Sequence, residues 1–347
     1  MITAKEIANI CGVSPSTVSN ILNGKPNVSE ETRQKVWQVV RETGYQPNYF
    51  AANMRKRSTR TIGIVAEDLG QFSTTPILES AMAYCDENDY RTIIMNLRLY
   101  DKWKDTWYDD EEKVRQSLVP VLNELQSIKV DGVIYIAGHG RVIHCLPQDF
   151  PLPTMIAYAI SDNDRMPSVI LDDEQGGYNM TNYLLGLGHK KIAVIAGVKD
   201  NMHTQERMKG CRKALNEAGL SLQDQDVFFG DWERDSGNQG AQKFCNGDYS
   251  AIWCMNDLMA AGVYDFARQK KIEIGKDITV IGYDNRQVAG YLYPGLTTSD
   301  LPLKEIGIQS AQILIGMLEK KSFPDPKHKL IKVGSKMVLR NSAVKMK

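Results

Sequence analysis

Apolar residues recur at helical spacing near the start of the chain and in short continuous runs further on. Thr3 stands where a helix N-cap belongs, with Glu6 three residues later, and Ile7 and Ile10 open an apolar stripe. Gly12 ends that helix. Ser14 caps the next, Pro15 takes its first position, and Val18, Ile21 and Leu22 keep helical spacing as far as Asn23-Gly24. A third helix runs from a Ser29 cap, with Thr32 in its first turn, through Val36, Val39 and Val40 to Gly44. Two short helices joined by a tight Gly-containing turn form the helix-turn-helix plan, whose second helix enters the major groove of DNA.

From Thr61 the pattern changes to short apolar runs that alternate with helical segments. The runs Ile62 to Ala66, Thr92 to Met95, Gly132 to Ile136 and Met155 to Tyr158 suit the buried strands of a parallel sheet. Val169 to Leu171, Ile192 to Ala196, Asp226 to Phe229, Ile252 to Met255 and Thr279 to Tyr283 form a second set. Two such sets predict an α/β body of two Rossmann-like subdomains. The clearest helix begins near Glu174 and stops at Leu187-Gly188-His189.

Charge sharpens this division. Residues 1–60 hold nine Lys/Arg against four acids, a net +5, leaving 33 against 38 and a net −5 for the remainder. A basic amino-terminal module on an acidic body points to a polyanion partner for the first part alone. At 347 residues, with 42% hydrophobic and 24% charged residues, the composition is that of a globular protein of two or three compact units. No apolar run approaches the ~20 residues that span a bilayer, so no membrane association is expected. Lys5 and Glu6 interrupt the stretch where a secretory signal would be apolar, and a cytoplasmic protein is expected. The six cysteines form no C-x-x-C pair, and the five histidines show no metal-ligand spacing. A nucleophile elbow, a Walker-type phosphate loop, H-E-x-x-H and a complete G-x-G-x-x-G are all missing, so no catalytic residue, metal or cofactor is expected.

Glu6-Ile7-Ala8, Gly12-Val13-Ser14, Ser16-Thr17-Val18-Ser19, Leu22-Asn23-Gly24, Val28-Ser29-x-x-Thr32 and Gly44-Tyr45-x-Pro47-Asn48 stand at fixed spacing. Together they resemble the start of the lactose/galactose repressor family of bacterial transcription regulators. The resemblance continues through Asp172-Asp173-x-x-Gly176-Gly177, Leu187-Gly188-His189-x-x-Ile192, Arg207-x-x-Gly210, Asn256-Asp257, Ile281-Gly282-Tyr283-Asp284 and Leu339-Arg340-x-Ser342. It implies a headpiece at 1–46, a hinge helix and linker at 47–60, and a periplasmic-binding-protein-like type I core at 61–347. The chain would cross between subdomains near Ile160, near Asn285 to Val288 and between Phe323 and Lys329. That gives an N-subdomain of about 61–160 and 288–324 and a C-subdomain of about 161–287 and 325–347.

The resemblance also implies roles. Pro15, Ser16 and Asn20 would face the bases, while Ser14, Thr17, Ser19, Asn23, Ser29 and Thr32 would hold phosphates, as short hydroxyls and amides can. Relatives usually carry Arg at the position of Asn20. Arg pairs with guanine and Asn with adenine, which predicts an adenine in the half-site where relatives read guanine. Tyr49 to Arg57 match the hinge helix, with Met54 in place of the leucine wedged into the minor groove. In the body, Arg207, Asn256 and Asp284 match positions that grip ligand hydroxyls, and Trp232 matches a ring covering the ligand. Ligands of open α/β sheets lie beyond the carboxyl ends of the strands, so the effector is expected in the cleft between subdomains. Leu69, Gln71, Phe72 and Thr75 would line its other wall.

Three departures bear on specificity. Gln71-Phe72-Ser73-Thr74 replaces the common Asn-Pro-Phe-Phe, and Tyr158 stands near where several sugar-responsive relatives carry an acid. Residues 97–108 add about a dozen residues to the usual connection, and long loops are often functional. Trp103 and Trp107, with Tyr100 or Tyr108, would then form a lid over a sugar ring, or else pack on the body or at a dimer contact. The expectation is a dimeric repressor of carbohydrate-use genes. It would bind a pseudo-palindromic operator in double-stranded DNA and respond to a small-molecule effector, a sugar or sugar derivative. The alternatives are a purine effector and a phosphorylated carrier protein as corepressor. The chain ends a few residues past Ser342, and dimers rather than tetramers are expected.

Overall fold

The computed structural model describes residues 2–22, 24–26, 28–45, 58–104, 110–245, 247–319 and 329–346. The chain divides into two compact units, Met1–Thr59 and Arg60–Lys347.

The first unit holds α1 (Ala4–Cys11), α2 (Pro15–Leu22) and α3 (Glu30–Thr43). The Glu6 N–H donates to Thr3 Oγ1 and the Thr3 N–H to Glu6 Oε2 at 2.7 Å, closing a capping box at the start of α1. Gly12 leaves the helix at φ +68°, a conformation that favours glycine. The Ser29 side chain caps α3. Ile7, Ala8, Cys11, Val18, Ile21, Val36 and Val40 make a small core. Ile10 differs from the expected stripe and is 55% exposed, because the bundle closes on Ile7, Ala8 and Cys11 instead.

The second unit begins with β1 (Thr61–Ala66), α4 (Thr74–Glu87), β2 (Arg91–Asn96), α5 (Leu99–Trp103), α6 (Glu111–Ser127) and β3 (Gly132–Ile136). There follow β4 (Val142–Ile143), β5 (Thr154–Ala157), β6 (Ile160–Ser161) and β7 (Ser168–Leu171). A second lobe contains α7 (Asp173–Gly186), β8 (Ile192–Ala196), α8 (Met202–Glu217), β9 (Val227–Phe229) and α9 (Arg234–Phe244). It is completed by β10 (Ala251–Cys254), α10 (Asp257–Lys270), β11 (Thr279–Ile281) and α11 (Gln287–Tyr291). The remaining elements are β12 (Thr298–Asp300), α12 (Leu303–Leu318), β13 (Leu330–Val333) and β14 (Lys336–Val338).

Two parallel sheets form the lobes, in the orders β13-β7-β5-β3-β1-β2 and β11-β10-β8-β9. Every residue of β1, β3 and β8 is buried, as strands covered by helices on both faces require. The lobe boundaries differ from those expected. Val169 to Leu171 were grouped with the second sheet, yet β7 lies in the first, between β5 and β13. The first crossing therefore follows β7 at Asp172, not Ile160. The second follows β12, because α11 still packs on α10 whereas α12 packs on α4. The third follows Val333, since β13 pairs with β7; the expected stretch from Phe323 to Lys329 lies, apart from Lys329, outside the described residues. A four-residue buried strand carries no mark of which sheet it joins, so apolar runs locate strands and not lobes.

Helices α7 and α8 approach more closely than side chains would allow. A Cβ on Gly177 would lie 2.2 Å from the Arg207 carbonyl oxygen, and one on Gly210 would lie 1.9 Å from that of Glu174. Gly210→Ala is expected to lower stability by about 1–3 kcal/mol through overpacking, read as a lower denaturant midpoint at unchanged m-value.

Candidate nucleic-acid interface and effector cleft

In the headpiece, α2 buries Val18 and Ile21 and turns its other face outward. Pro15, Ser16 and Ser19 are exposed there and Asn20 is half-buried, as a 3.6-residue period dictates. The Ser14 hydroxyl meets those of Ser16 at 2.7 Å and Thr17 at 2.9 Å, and accepts from the Thr17 N–H at 3.1 Å. Ser29 and Thr32 form a similar pair at 2.8 Å at the start of α3. These groups give a row of short polar side chains at two helix N-termini, where backbone N–H groups also favour phosphate. Asn23 and Met54 lie outside the described residues.

In the body, residues at the carboxyl ends of the strands face one another across the lobes. Arg207, on α8, is 3% exposed. Its Nε donates to Asp173 Oδ1 at 2.7 Å and its Nη1 to the Met255 carbonyl at 2.5 Å, while the Tyr283 ring centre lies 4.0 Å from its Cζ. Asp173 Oδ2 also meets His203 Nδ1 at 2.6 Å, and His203 Nε2 accepts from the Gly140 N–H of the first lobe at 2.9 Å. That second bond assigns the proton to Nδ1, so the imidazole donates to the carboxylate. Burial alone would raise the Asp173 carboxyl, but the Arg207 guanidinium and His203 outweigh it and hold it down to about 2.

Asp284 has the opposite fate. It sits at φ +103°, buried, and its only ionic partner is Arg207 Nη1 at 3.8 Å. Among the described residues its side chain makes no hydrogen bond. Burial pushes its carboxyl up to about 8, the distant Arg207 offsetting only part, with Asp257 adding to the rise. A buried carboxyl without a hydrogen bond is poised to receive one.

Trp232, at φ +73°, lies on Gly197, where a Cβ would come within 2.1 Å of its ring. The Asn256 amide is engaged at both ends: Nδ2 donates to the Trp232 carbonyl at 2.8 Å, and Oδ1 accepts from the Met259 N–H at 2.8 Å. Asn256 therefore caps α10 and fixes Trp232 in its left-handed turn. On the first lobe, Tyr158 is buried with its ring centre 5.2 Å from that of His203. Phe72 is half-exposed, with the Arg286 guanidinium 4.1 Å above its ring, and Gln71 covers Gly138.

Sequence reasoning missed His203 and the buried Glu67. Glu67 accepts from Tyr135 Oη at 2.5 Å, the Gly138 N–H at 2.7 Å and Arg141 Nη2 at 2.6 Å, and so shapes the loop that presents Gly140. These partners lie 63 to 74 residues apart, and no local pattern marks them. Trp103 is half-buried against the cluster of Leu97, Leu99 and Leu118, on the body rather than free over the cleft. Trp107 and Tyr108 lie outside the described residues.

A helix-turn-helix headpiece and a two-lobed α/β core with a polar cleft define a DNA-binding transcription regulator with an effector-binding domain. The description "Bacterial regulatory proteins, lacI family" matches residues 3–48, and "Periplasmic binding proteins and sugar binding domain of LacI family" matches residues 109–332. The transcriptional regulator RegA of Clostridium saccharobutylicum is 32% identical over 94% of this chain and 95% of its own length. The transcriptional repressor PurR of Vibrio parahaemolyticus is 28% identical over 100% of both. The chain belongs to the lacI family. Its fold is similar to that of a lac repressor dimer bound to operator and the anti-inducer ONPF, with a TM-score of 0.78, 22% identity and 99% of each chain covered.

The Asp284 carboxyl gives a test of the cleft's electrostatics. Its ordinary value of 3.8 rises to about 8 on folding, so the folded state holds a proton that the unfolded state has released. Its contribution to stability is present below about pH 4 and is lost as pH rises towards 8. Asp284→Asn, isosteric with the protonated acid, is expected to be more stable than wild type at pH 8, with the difference shrinking towards pH 4. Denaturation series across that range measure it, and a pH-independent difference would contradict the assignment.

Proposed function

We propose that this protein is a cytoplasmic repressor that binds a pseudo-palindromic operator as a homodimer. An uncharged sugar or sugar derivative in the cleft changes its operator affinity. The observation that carries the ligand class is the Asp284 carboxyl, buried without a hydrogen bond beside Arg207 and among the rings of Trp232 and Tyr283. A carboxylate accepts two O–H bonds, a guanidinium fork donates to ring oxygens, and an indole covers the apolar face of a sugar. Both buried guanidinium groups already have carboxylate partners, Arg207 with Asp173 and Arg141 with Glu67. A phosphate ester would therefore bring charge that neither of them is left to answer.

The headpiece supports the DNA part through Pro15, Ser16 and Asn20 on one face and paired hydroxyls at the starts of two helices. Among the described residues no helix is long and apolar enough to cross a membrane, which fits the cytoplasmic reading.

Selection of binding sites from random DNA, followed by operator titration against neutral sugars, sugar phosphates and purines, tests both parts. The selected half-site should carry adenine opposite Asn20, with about 1–3 kcal/mol of discrimination. A neutral sugar should shift operator affinity by about 5- to 150-fold. A guanine requirement at that step would refute the Asn20 reading, and a response confined to phosphorylated sugars or to purines would refute the ligand class.

A further inference from the structure

A groove of about 390 Å³ lies between α7 and the antiparallel pair β12–β14, apart from the effector cleft. Asn179 and Asn182 of α7, Ser299 of β12 and Ser335 beside β14 supply amides and hydroxyls, and Met180 and Met337 supply apolar wall. No residue lining it is charged. An ion entering would lose hydration without gaining a partner, whereas an uncharged molecule could use every polar group present. The volume is at the lower end of ordinary ligand sites, which suits a small molecule.

The groove is tied to the cleft. Ser299 Oγ donates to Ser335 Oγ at 2.8 Å, and Ser335 Oγ meets Tyr283 Oη at 3.0 Å. The Tyr283 hydroxyl is pressed against α7, where a Cβ on Gly176 would lie 1.8 Å away, and its ring supports the Arg207 guanidinium. The groove's two walls also belong to different bodies. Helix α7 is part of the second lobe. β12 runs directly into α12 of the first lobe, and β14 follows directly from β13 of the first sheet. Any rotation of the lobes shears one wall against the other, so groove width reports the lobe arrangement, and an occupant that fits one width favours it.

We propose that this groove is a second ligand site, for a small uncharged molecule bearing hydroxyl or amide groups, and that Ser335 and Tyr283 transmit its occupancy to Arg207. Only the transmission rests on the role proposed above for Arg207; binding in the groove does not.

In full-length Asn182→Cys protein, the rate of modification of the introduced thiol by N-ethylmaleimide reports groove occupancy. Wild-type protein treated identically accounts for the native cysteines, five of which are buried. The neutral probes are D-glucose, glycerol and acetamide; inorganic phosphate and tetramethylammonium are the charged ones. At least one neutral probe is expected to slow modification about twofold at half-saturation, with neither ion doing so. The protection should persist when Arg207→Lys is added, which separates the groove from the cleft. The completed N-ethylmaleimide adduct should shift operator affinity about fivefold. That shift should vanish with Tyr283→Phe, which keeps the ring on Arg207 and drops the bond to Ser335. Equal rates with all probes, protection by the ions alone, or protection lost with Arg207→Lys would overturn the site. An adduct without effect on operator affinity, or one whose effect survives Tyr283→Phe, would overturn the transmission.

Discussion

A guanidinium buried to 3% exposure has to be answered by its surroundings, and the second lobe is arranged around the answer given to Arg207. Its counter-ion, Asp173, is the first residue of α7, and it reaches Arg207 because Gly177 and Gly210 let α7 and α8 meet backbone to backbone. Its platform, Tyr283, reaches it because Gly176 leaves room for the hydroxyl. Three motif glycines thus serve one charge. With Asp173 taking the short hydrogen bond and Asp284 left at 3.8 Å, two carboxyls beside one guanidinium acquire opposite properties, one held ionised and the other held protonated. A ligand that offers hydroxyls to the second can change its state without disturbing the first.

The same carboxylate joins the lobes. Asp173 orients His203, and His203 accepts a hydrogen bond from the Gly140 N–H across the cleft. Glu67 and Arg141 shape the loop that makes this donor available. A group that enters between Arg207 and Asp284 therefore acts on a network that already spans both lobes. Coupling between effector and operator needs a two-state element that both bias, and lobe arrangement is the element this network controls.

Local features were legible in the sequence because their physics is local. The Thr3–Glu6 box, the Ser29 cap and the left-handed Gly12 and Gly44 each follow from residues three to five positions apart. Strand positions followed from buried runs. Sheet membership did not, and Val169 to Leu171 show why: four buried residues fit either sheet equally well. In the cleft, Arg207 and Asp284 were found through motifs, whereas Glu67 and His203 gain meaning only from partners more than sixty residues away. Asn256 was found for its amide, which the protein uses to cap α10 and hold Trp232. Aromatic content suggested a lid at Trp103, but the buried Leu97 and Leu99 beside it draw that ring onto the body.

That Arg207 holds the effector through its fork rather than its charge is tested most directly by titrating Arg207→Lys with the effector that moves wild-type operator affinity. Lysine keeps the charge and loses the planar pair of donors. Losing about two charge-assisted hydrogen bonds, roughly 3 kcal/mol, should weaken effector affinity about a hundredfold, while operator binding without effector persists. A folded, operator-binding Arg207→Lys protein with wild-type effector affinity would contradict the role assigned to Arg207.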